Sequence, residues 1–163
     1  MLDLLGRRSV TVDELAPSEG DWYLNLVWIE RRKCLLLTHP GTLFSLFRAG
    51  VRVADLRPLG TYVVEAIATE LRTEGLPAET FSRLDPADVR VAKTASRSTL
   101  GFMKEMVFEL EWQIDDEGGL DRTDIIGLNH ALRRMLRSHG TGYVQPIELV
   151  NRHLTLRGRP AGA

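Results

Sequence analysis

The sequence predicts an α+β fold in which a small antiparallel β-meander of about three to four strands packs against an α-helical C-terminal half. Two apolar runs flank a basic break at residues 31–33, which is typical of a β-hairpin with both faces covered. After residue 60, apolar residues recur at helical spacing. The length of 163 residues and the hydrophobic content of 44% fit one domain with its own core. We predict this domain over residues 1–156 and a flexible tail over residues 157–163.

The hairpin, residues 22–39, is predicted to form the core of the sheet. Its first strand is apolar on both sides except at Asn25. A two-residue loop at Arg31-Arg32 would place Asn25 opposite Thr38, so that polar side chains meet across the strands. A loop of about three to five residues is the alternative. The single cysteine, Cys34, falls in the second apolar run, where free cysteine usually behaves as a small buried hydrophobe.

Further strands are predicted on either side of the hairpin. Pro40 and Gly41 suit the centre of a type II turn, after which residues 43–47 resume an apolar run. A helix over residues 42–49 is the alternative. Residues 89–94 alternate apolar and basic side chains, as expected of a strand with one exposed face. Residues 9–12 favour a strand, and residues 13–17 could equally form one helical turn opened by Thr11.

Five helices are predicted in the second part of the chain. Residues 60–76 carry an apolar stripe that Gly75 ends, and Pro77 starts a short helix that ends near Leu84. The third is a long amphipathic helix that begins at a cap, Ser96 or Ser98, and ends at Gly118-Gly119. The fourth runs from Asp121 to His139-Gly140 and is expected to pack antiparallel to the third. A short last helix begins at Pro146.

Charge is distributed unevenly along the chain, although the net charge is only -1. Residues 59–125 hold seven Lys/Arg and fourteen Asp/Glu, a net of -7, and residues 126–163 hold six and one, a net of +5. We favour pairing between these two segments over a basic end that binds an anionic partner. No apolar run reaches the roughly 20 residues of a membrane span, and the N-terminus lacks the pattern of a signal peptide. We therefore expect a cytoplasmic protein without a membrane partner.

Motifs for cofactor and metal chemistry are absent from the sequence. There is no H-E-x-x-H and no cysteine pair for zinc, and no glycine-rich phosphate loop of either common type. A G-x-S-x-G nucleophile turn is also missing. We therefore expect no cofactor and no metal.

A first group of candidate binding residues lies on the hairpin: Arg31, Arg32, Lys33 and His39. Cationic side chains can hold phosphate, and a histidine can exchange protons near neutral pH. At a rise of roughly 3.3 Å per residue, however, the basic tip and His39 are about 20 Å apart. The favoured interpretation is a charged tip that prevents edge-to-edge pairing of the sheet.

Two more candidate groups lie in the helical half. Arg97 follows Ser96 at a helix start, where backbone N–H groups can bind an anion, although ordinary helix capping explains the same residues. Asn129, His130, Arg133 and Arg137 lie on one helix, and three of them recur at a spacing of four, as on a helix that contacts phosphate or reads a groove. The alternative is that these arginines pair with acidic residues of the preceding helix, namely Glu105, Glu109 or Glu111.

Three stretches of the sequence are distinctive: W-Y-L-N-L-V-W-I-E-R-R-K-C-L-L-L-T-H-P-G-T-L-F-S at residues 22–45, R-S-T-L-G-F-M at 97–103 and G-Y-V-Q-P-I-E-L-V at 142–150. Together they resemble a family of small bacterial proteins whose domain has no known function. The resemblance spans about residues 22 to 150 and implies no activity. It also implies an additional apolar strand near the N-terminus, which this sequence lacks, so an edge strand is expected to be missing.

Two functional hypotheses follow. The first is a non-enzymatic binding or regulatory module that acts on nucleic acid or on a protein partner. The alternative is a small enzyme for a phosphate-bearing or nucleic-acid substrate, with His39 or His130 as acid/base and Arg97 as anion holder. We prefer the first, because no spacing in the chain brings an acid, a base and an electrophile together.

Overall fold

The computed structural model describes residues 20–91, 96–139 and 141–158. It confirms the α+β class, with an N-terminal sheet and a helical C-terminal part. The elements are β1 (Tyr23–Ile29), β2 (Arg32–Thr38), β3 (Ser45–Arg48), α1 (Leu59–Thr73), α2 (Arg97–Asp116), α3 (Ile125–Leu132), β4 (Arg137–His139), β5 (Gly142–Val144) and α4 (Pro146–Arg157). A 3₁₀ turn covers Pro86–Asp88. The strand predicted over residues 9–12 lies outside the described residues.

The three N-terminal strands form an antiparallel meander in the order β1-β2-β3, as predicted. The predicted turn position is wrong, because the two-residue turn consists of Glu30 and Arg31, with φ values of 49° and 63°. Asn25 consequently pairs with Leu36 instead of Thr38. Left-handed conformations are unusual for such side chains, but a two-residue type I′ turn between antiparallel strands requires positive φ at both positions. Glu30 Oε2 accepts a hydrogen bond from the backbone N–H of Leu120 at 3.2 Å.

The connection from β2 to β3 also differs from the predicted type II turn. Leu43 is the residue with positive φ, at 57°, and its N–H donates to the carbonyl of His39 at 2.8 Å. The N–H of His39 in turn donates to the carbonyl of Phe44 at 2.9 Å. The loop is therefore wider than a four-residue turn, and a strand follows it instead of the alternative helix over residues 42–49.

The sheet separates two apolar clusters, so both faces of the hairpin are covered, as predicted. One face packs against α1 and α4, through Leu35, Leu37, Phe44, Leu46, Val63, Ile67, Leu71, Phe81 and Val150. The other face packs against α2 and α3, through Ile29, Cys34, Leu36, Phe47, Met103, Met106, Leu110, Ile114, Leu128 and Leu132. Cys34 is fully buried, which confirms its role as a small core residue.

Helices α1 and α2 confirm their predictions, and Ser96 is the cap of α2. The short helix predicted from Pro77 is replaced by a turn, in which the N–H and the hydroxyl of Thr80 both donate to the Pro77 carbonyl, at 3.1 and 2.6 Å. Residues 89–91 are irregular instead of a strand, and residues 92–94 of that predicted strand lie outside the described residues.

The predicted helix from Asp121 to His139 is much shorter than expected. Its cap is Asp124, whose side chain accepts from the N–H of Ile126, and Asp121, the predicted cap, pairs with Arg32. The helix ends at Leu132, and the β4–β5 hairpin follows. Helix α4 is longer than predicted and includes Arg157, where the flexible tail was predicted to begin. Residues 159–163 of that tail lie outside the described residues. Within the described ranges, none of the helices has the length and apolarity needed to cross a membrane.

Candidate functional site

The arginines predicted to face a ligand from the fourth predicted helix are buried. Asn129 and Arg133 have no exposed surface, and Arg137 is nearly as buried. Arg133 pairs with Glu70 and Glu74 of α1, at the end of that helix. Arg137 Nη1 lies 2.5 Å from Glu109 Oε2, and its guanidinium lies over the ring of Phe102. The interpretation of these three residues as a groove-reading face is therefore corrected, because they satisfy internal carboxylates.

A cluster of opposite charges lies between α1, β3 and α3, and we call it the Glu70 cluster. It consists of Arg48, Glu70, Glu74, Asn129, Arg133 and Arg134. Glu70 is central, since Arg48 Nη1 lies 2.8 Å from one of its oxygens and Arg133 Nη2 binds the other. Burial holds the pKa of Arg133 below its ordinary value, although the charges of Glu70 and Glu74 oppose that shift. The basic C-terminal segment thus pairs with the acidic middle of the chain, which is the arrangement favoured from the charge distribution.

Asn129 closes the outer edge of β3. Its Oδ1 accepts from the N–H of Phe47 at 2.6 Å, and its Nδ2 donates to the carbonyl of Phe47 at 3.1 Å. A side-chain amide has one donor and one acceptor group in the same plane, so it can replace a neighbouring strand at one position. Asn129 Nδ2 also donates to Glu70, at 3.2 Å. The amide therefore joins the sheet edge to the Glu70 cluster.

The most exposed members of this part of the molecule, His130 and Arg134, both bind the buried carboxylate of Glu74. Arg134 binds both of its oxygens, at 3.2 and 2.8 Å, and His130 Nδ1 lies 3.1 Å from Oε1. The His130 side chain is 54% exposed, so it is the surface member of the group predicted on this helix. Burial raises the pKa of Glu74, but the hydrogen bond from Arg134 and the charges of Arg133, Arg134 and His130 outweigh it. The pKa therefore lies below its ordinary value of 4.5.

This lowered pKa predicts how stability depends on pH. Because the pKa of Glu74 is lower in the folded chain than in the unfolded chain, its carboxylate stabilises the fold above pH 4.5, and this contribution is lost as pH falls through the folded value. We expect Glu74→Gln to be less stable than the native chain near neutral pH, and the difference to shrink as pH falls. Urea denaturation at a series of pH values would measure it. A difference that stays constant down to about pH 3 would contradict this linkage.

The basic tip of the hairpin is held to the rest of the molecule. Arg32 forms a bidentate pair with Asp121, with distances of 2.5 and 2.7 Å. Lys33 lies over the ring of Trp28, 5.5 Å from its centre, and Arg31 is exposed at the turn. The pairing of Arg32 connects the hairpin to the loop between α2 and α3, so this cation has a structural partner.

His39 lies at the other end of β2, inside an aromatic cluster. It stacks on Phe81 with 4.3 Å between ring centres, and its Nδ1 lies 3.0 Å from the hydroxyl of Thr42. Trp22 and His153 also approach it, at 5.5 and 6.4 Å between ring centres. His39 is buried, so its contacts with the aromatic rings give the side chain a structural role.

Arg97 is the first residue of α2 and is exposed. The neighbouring Ser96 hydroxyl accepts from the N–H of Thr99 at 3.2 Å and from its hydroxyl at 3.0 Å. The helix start is therefore capped by side chains, in agreement with the ordinary interpretation. Helix α2 packs on the opposite face of the sheet from Phe81, on which His39 stacks, so Arg97 and His39 belong to elements on different sides of the sheet.

A feature that the sequence reasoning missed lies on the outward face of α2. Phe108 and Trp112 are 73% and 65% exposed. At 100° per residue they point about 160° away from the core stripe of the helix. They are flanked by exposed charged residues, and we call the whole set the α2 aromatic face: Phe108, Trp112, Lys104, Glu105, Glu111, Asp115 and Asp116. The available signal was two aromatic residues one turn apart that fall outside the predicted apolar stripe.

Chemistry that needs a metal has no support in the described part of the chain, where no group of three His, Cys, Asp or Glu side chains could hold an ion. The exposed cations of the described ranges are of two kinds: Arg32 and Arg52 pair with carboxylates, whereas Arg31 and Lys104 have no carboxylate partner among the described contacts.

Comparison with models of protein families matches residues 1–149 to a family described as Domain of unknown function (DUF6933). The chain belongs to this family. The match includes the hairpin, α1, α2 and α3, and therefore both the Glu70 cluster and the α2 aromatic face of this DUF6933 chain. Comparison with curated proteins and with solved structures found no match.

Proposed function

We propose that this chain is a non-enzymatic module that binds a protein partner through the α2 aromatic face. The supporting observation is the exposure of Phe108 and Trp112 side by side on a helix whose opposite side is already buried. Exposed neighbouring aromatic residues are typical of the centre of protein interfaces, where they supply much of the binding energy.

Nucleic acid is the less suitable partner for this surface. Binding to phosphate requires accessible cations. Arg133 and Arg137 are buried against carboxylates, and the exposed Arg31 lies at the turn of the hairpin instead of on the α2 aromatic face. Helix α2 itself has two basic and five acidic residues, a net charge of -3. Phosphates would therefore be repelled from the one helix that presents exposed aromatic side chains.

The enzymatic alternative has less support from the geometry. It needs an anion-holding cation next to an accessible histidine. His130 is accessible, but its Nδ1 binds Glu74, which Arg134 also holds. No contact in the described part of the chain joins His130 to Arg97, which the hypothesis names as the anion holder.

A photo-crosslinking experiment on the full chain tests the proposal. We expect benzoylphenylalanine at position 108, in cells of the native host, to give a discrete protein adduct, because a bound partner would cover this side chain. The matched control is position 156, where Leu156 is 70% exposed on α4. The adduct should be absent there.

Binding of short DNA and RNA, measured at several salt concentrations, tests the opposite hypothesis. We expect no binding even at low salt, where phosphate contacts are strongest. Binding that weakens steeply with salt, together with nucleic-acid adducts at position 108, would overturn the protein-binding proposal.

A further inference from the structure

We infer that the partner of the α2 aromatic face is a second copy of this chain, packed through an antiparallel pair of α2 helices about a two-fold axis. The inference rests on the proposed function and names the partner that binds this face. Three features of α2 support it: the order of the charges along one side of the helix, an exposed glycine, and the charge at the helix end. One alignment of the two helices satisfies all three.

One side of the aromatic pair carries cations towards the N-terminus of α2 and anions towards its C-terminus. At about 100° per residue, four exposed charged residues fall within about 60° of Phe108, on the side away from Trp112. We call them the mixed row: Arg97, Lys104, Glu111 and Asp115. In the described part of the chain, none of the four belongs to an ion pair. The mixed row is therefore neutral as a whole but polarised along the helix.

This order of charges is complementary to itself when the direction of the helix is reversed. A two-fold axis perpendicular to two antiparallel helices sets each side of one helix against the same side of the other. Arg97 then comes opposite Asp115 of the second copy, and Lys104 comes opposite Glu111. Each contact occurs twice, because the symmetry repeats it. A parallel pair would instead place the anionic ends of both helices side by side, where like charges repel.

Gly101 leaves room for the larger of the two aromatic side chains. It is exposed and lies between the directions of Phe108 and Trp112. Glycine inside a helix is less stable than alanine, and no atom lies within 4 Å of the position that a Cβ would take, so packing within the chain does not require it. A missing side chain allows another chain to approach the backbone closely. In the antiparallel pair, Trp112 of the second copy would lie at this position.

The two ion pairs and the aromatic contact agree on one alignment. Residues come opposite each other in such a pair when they lie at equal distances from the axis along the helix. The two ion pairs are centred on position 106 and midway between positions 107 and 108, and the contact of Trp112 with Gly101 is centred midway between positions 106 and 107. At a rise of about 1.5 Å per residue, these centres lie within about 2 Å of one another. A single axis therefore serves all of these contacts.

The C-terminal end of α2 carries charge of the wrong sign for its own stability. Asp115 and Asp116 occupy the last turn, which has no basic residue. Anions destabilise that end of a helix, because the backbone dipole places partial negative charge there. Antiparallel packing would bring both aspartates to the N-terminal end of the second α2, where the dipole attracts anions. The first turn of α2 has no acidic residue that would repel them.

Glu105 opposes this alignment. It is exposed beyond Trp112 on the other side of the face, about two positions from the common centre. Two Glu105 carboxylates would therefore approach each other near the axis and weaken the association. Contact through one helix of each copy also keeps the interface small, below about 1,200 Å² in total. We therefore expect a weak dimer that dissociates at micromolar concentrations.

Sedimentation equilibrium of the full chain, at about 1 to 200 µM, tests the inference. We expect a reversible equilibrium between monomer and dimer. Phe108→Ser and Trp112→Ser should raise the dimer dissociation constant by about tenfold, because both rings lie in the contact. Glu105→Gln should lower it, since it removes the like-charge contact. The matched control is Leu156→Ser on α4, where Leu156 is 70% exposed, and it should leave the constant unchanged.

Exchanged charges test the antiparallel orientation. Lys104→Glu and Glu111→Lys each place like charges in contact across the axis, so each variant alone should dimerise about tenfold more weakly. A mixture of the two variants should form a heterodimer, since opposite charges meet again, and the double variant K104E/E111K should dimerise as the native chain does. Anisotropy of fluorescein-labelled Lys104→Glu, titrated with Glu111→Lys, would measure the mixture. Partial unfolding cannot produce this recovery.

Replacement of Gly101 by leucine separates the contact from the stability of the helix. We expect Gly101→Leu to weaken the dimer by about tenfold, because the new side chain occupies the position of Trp112 from the second copy. The same variant should melt at a higher temperature when it is dilute enough to be monomeric, since leucine favours a helix over glycine.

A chain that stays monomeric at about 200 µM would overturn the inference. A dimer that Phe108→Ser leaves intact would also overturn it, and charge variants that associate no better when mixed would exclude the antiparallel pair. The adduct at position 108 separates this inference from the proposed function. An adduct of two chains supports both, whereas an adduct of a monomeric chain with another protein leaves the proposed function standing and refutes the second copy. No protein adduct would contradict the proposed function and the inference with it.

Discussion

Replacement of Glu70 by glutamine is expected to lower the free energy of unfolding by about 3–5 kcal/mol, because it removes one partner from a buried ion pair. Arg133 is fully buried and binds Glu70 directly, and Arg48 binds the other oxygen of the same carboxylate. Glutamine has nearly the same shape, so it removes charge without opening a cavity. Chemical denaturation of the native chain and of Glu70→Gln would measure the difference.

The matched control for this prediction is Glu65→Gln on the same helix. Glu65 is exposed, so its replacement should change the free energy of unfolding by no more than about 0.5 kcal/mol. If both variants lost equally little stability, the Glu70 cluster would be dispensable. In that case the arginines would be tolerated in the interior without their counter-charge.

Replacement of Asn129 by alanine is expected to cost about 2–4 kcal/mol, since at least two buried polar groups would lose their partners, at about 1–3 kcal/mol each. The N–H and the carbonyl of Phe47 both bind the amide of Asn129, and Glu70 accepts from it as well. We also expect faster amide hydrogen exchange at Phe47, because the edge of β3 would open.

Asn151→Ala serves as the control, because Asn151 is exposed on α4. Its denaturation midpoint and its exchange rates in β3 should match those of the native chain. Unchanged exchange at Phe47 in Asn129→Ala would mean that another group can close the sheet edge, and would contradict the role given to the amide.

The hairpin, the three-stranded meander and the first two long helices could be predicted because their signals are local. Apolar runs, helical spacing and capping residues lie within a few positions of the element that they specify. The exact turn could not be predicted, because Glu30 and Arg31 are not the residue types that favour two consecutive positive φ values. The contact that Glu30 makes with the N–H of Leu120 joins residues 90 positions apart.

The candidate site was predicted less well, for a related reason. Asn129, Arg133 and Arg137 have the spacing of a binding face, and the same spacing also suits a buried face that meets opposite charges. Arg137 does meet Glu109 of the preceding helix, one of the alternatives considered, but Arg133 meets Glu70 and Glu74 of α1. Glu70 lies three positions after Ile67 on the apolar stripe of α1, which was the one local sign that a buried cation would be needed.

Because α3 closes the edge of β3, the meander and the helices cannot be separated into independent fragments without loss of hydrogen bonds. Asn129 reaches Phe47 across 82 positions of sequence, Arg133 reaches Glu70 across 63, and Arg32 reaches Asp121 across 89. A fragment that stopped before α3 would expose the backbone of Phe47 and leave Glu70 without the guanidinium of Arg133. Contacts so distant in sequence form only after large loops have closed, so they favour folding of the meander and the helices as one cooperative event. Recombination or protein engineering would therefore have to transfer the meander and its helices together, since neither half supplies its own missing hydrogen bonds.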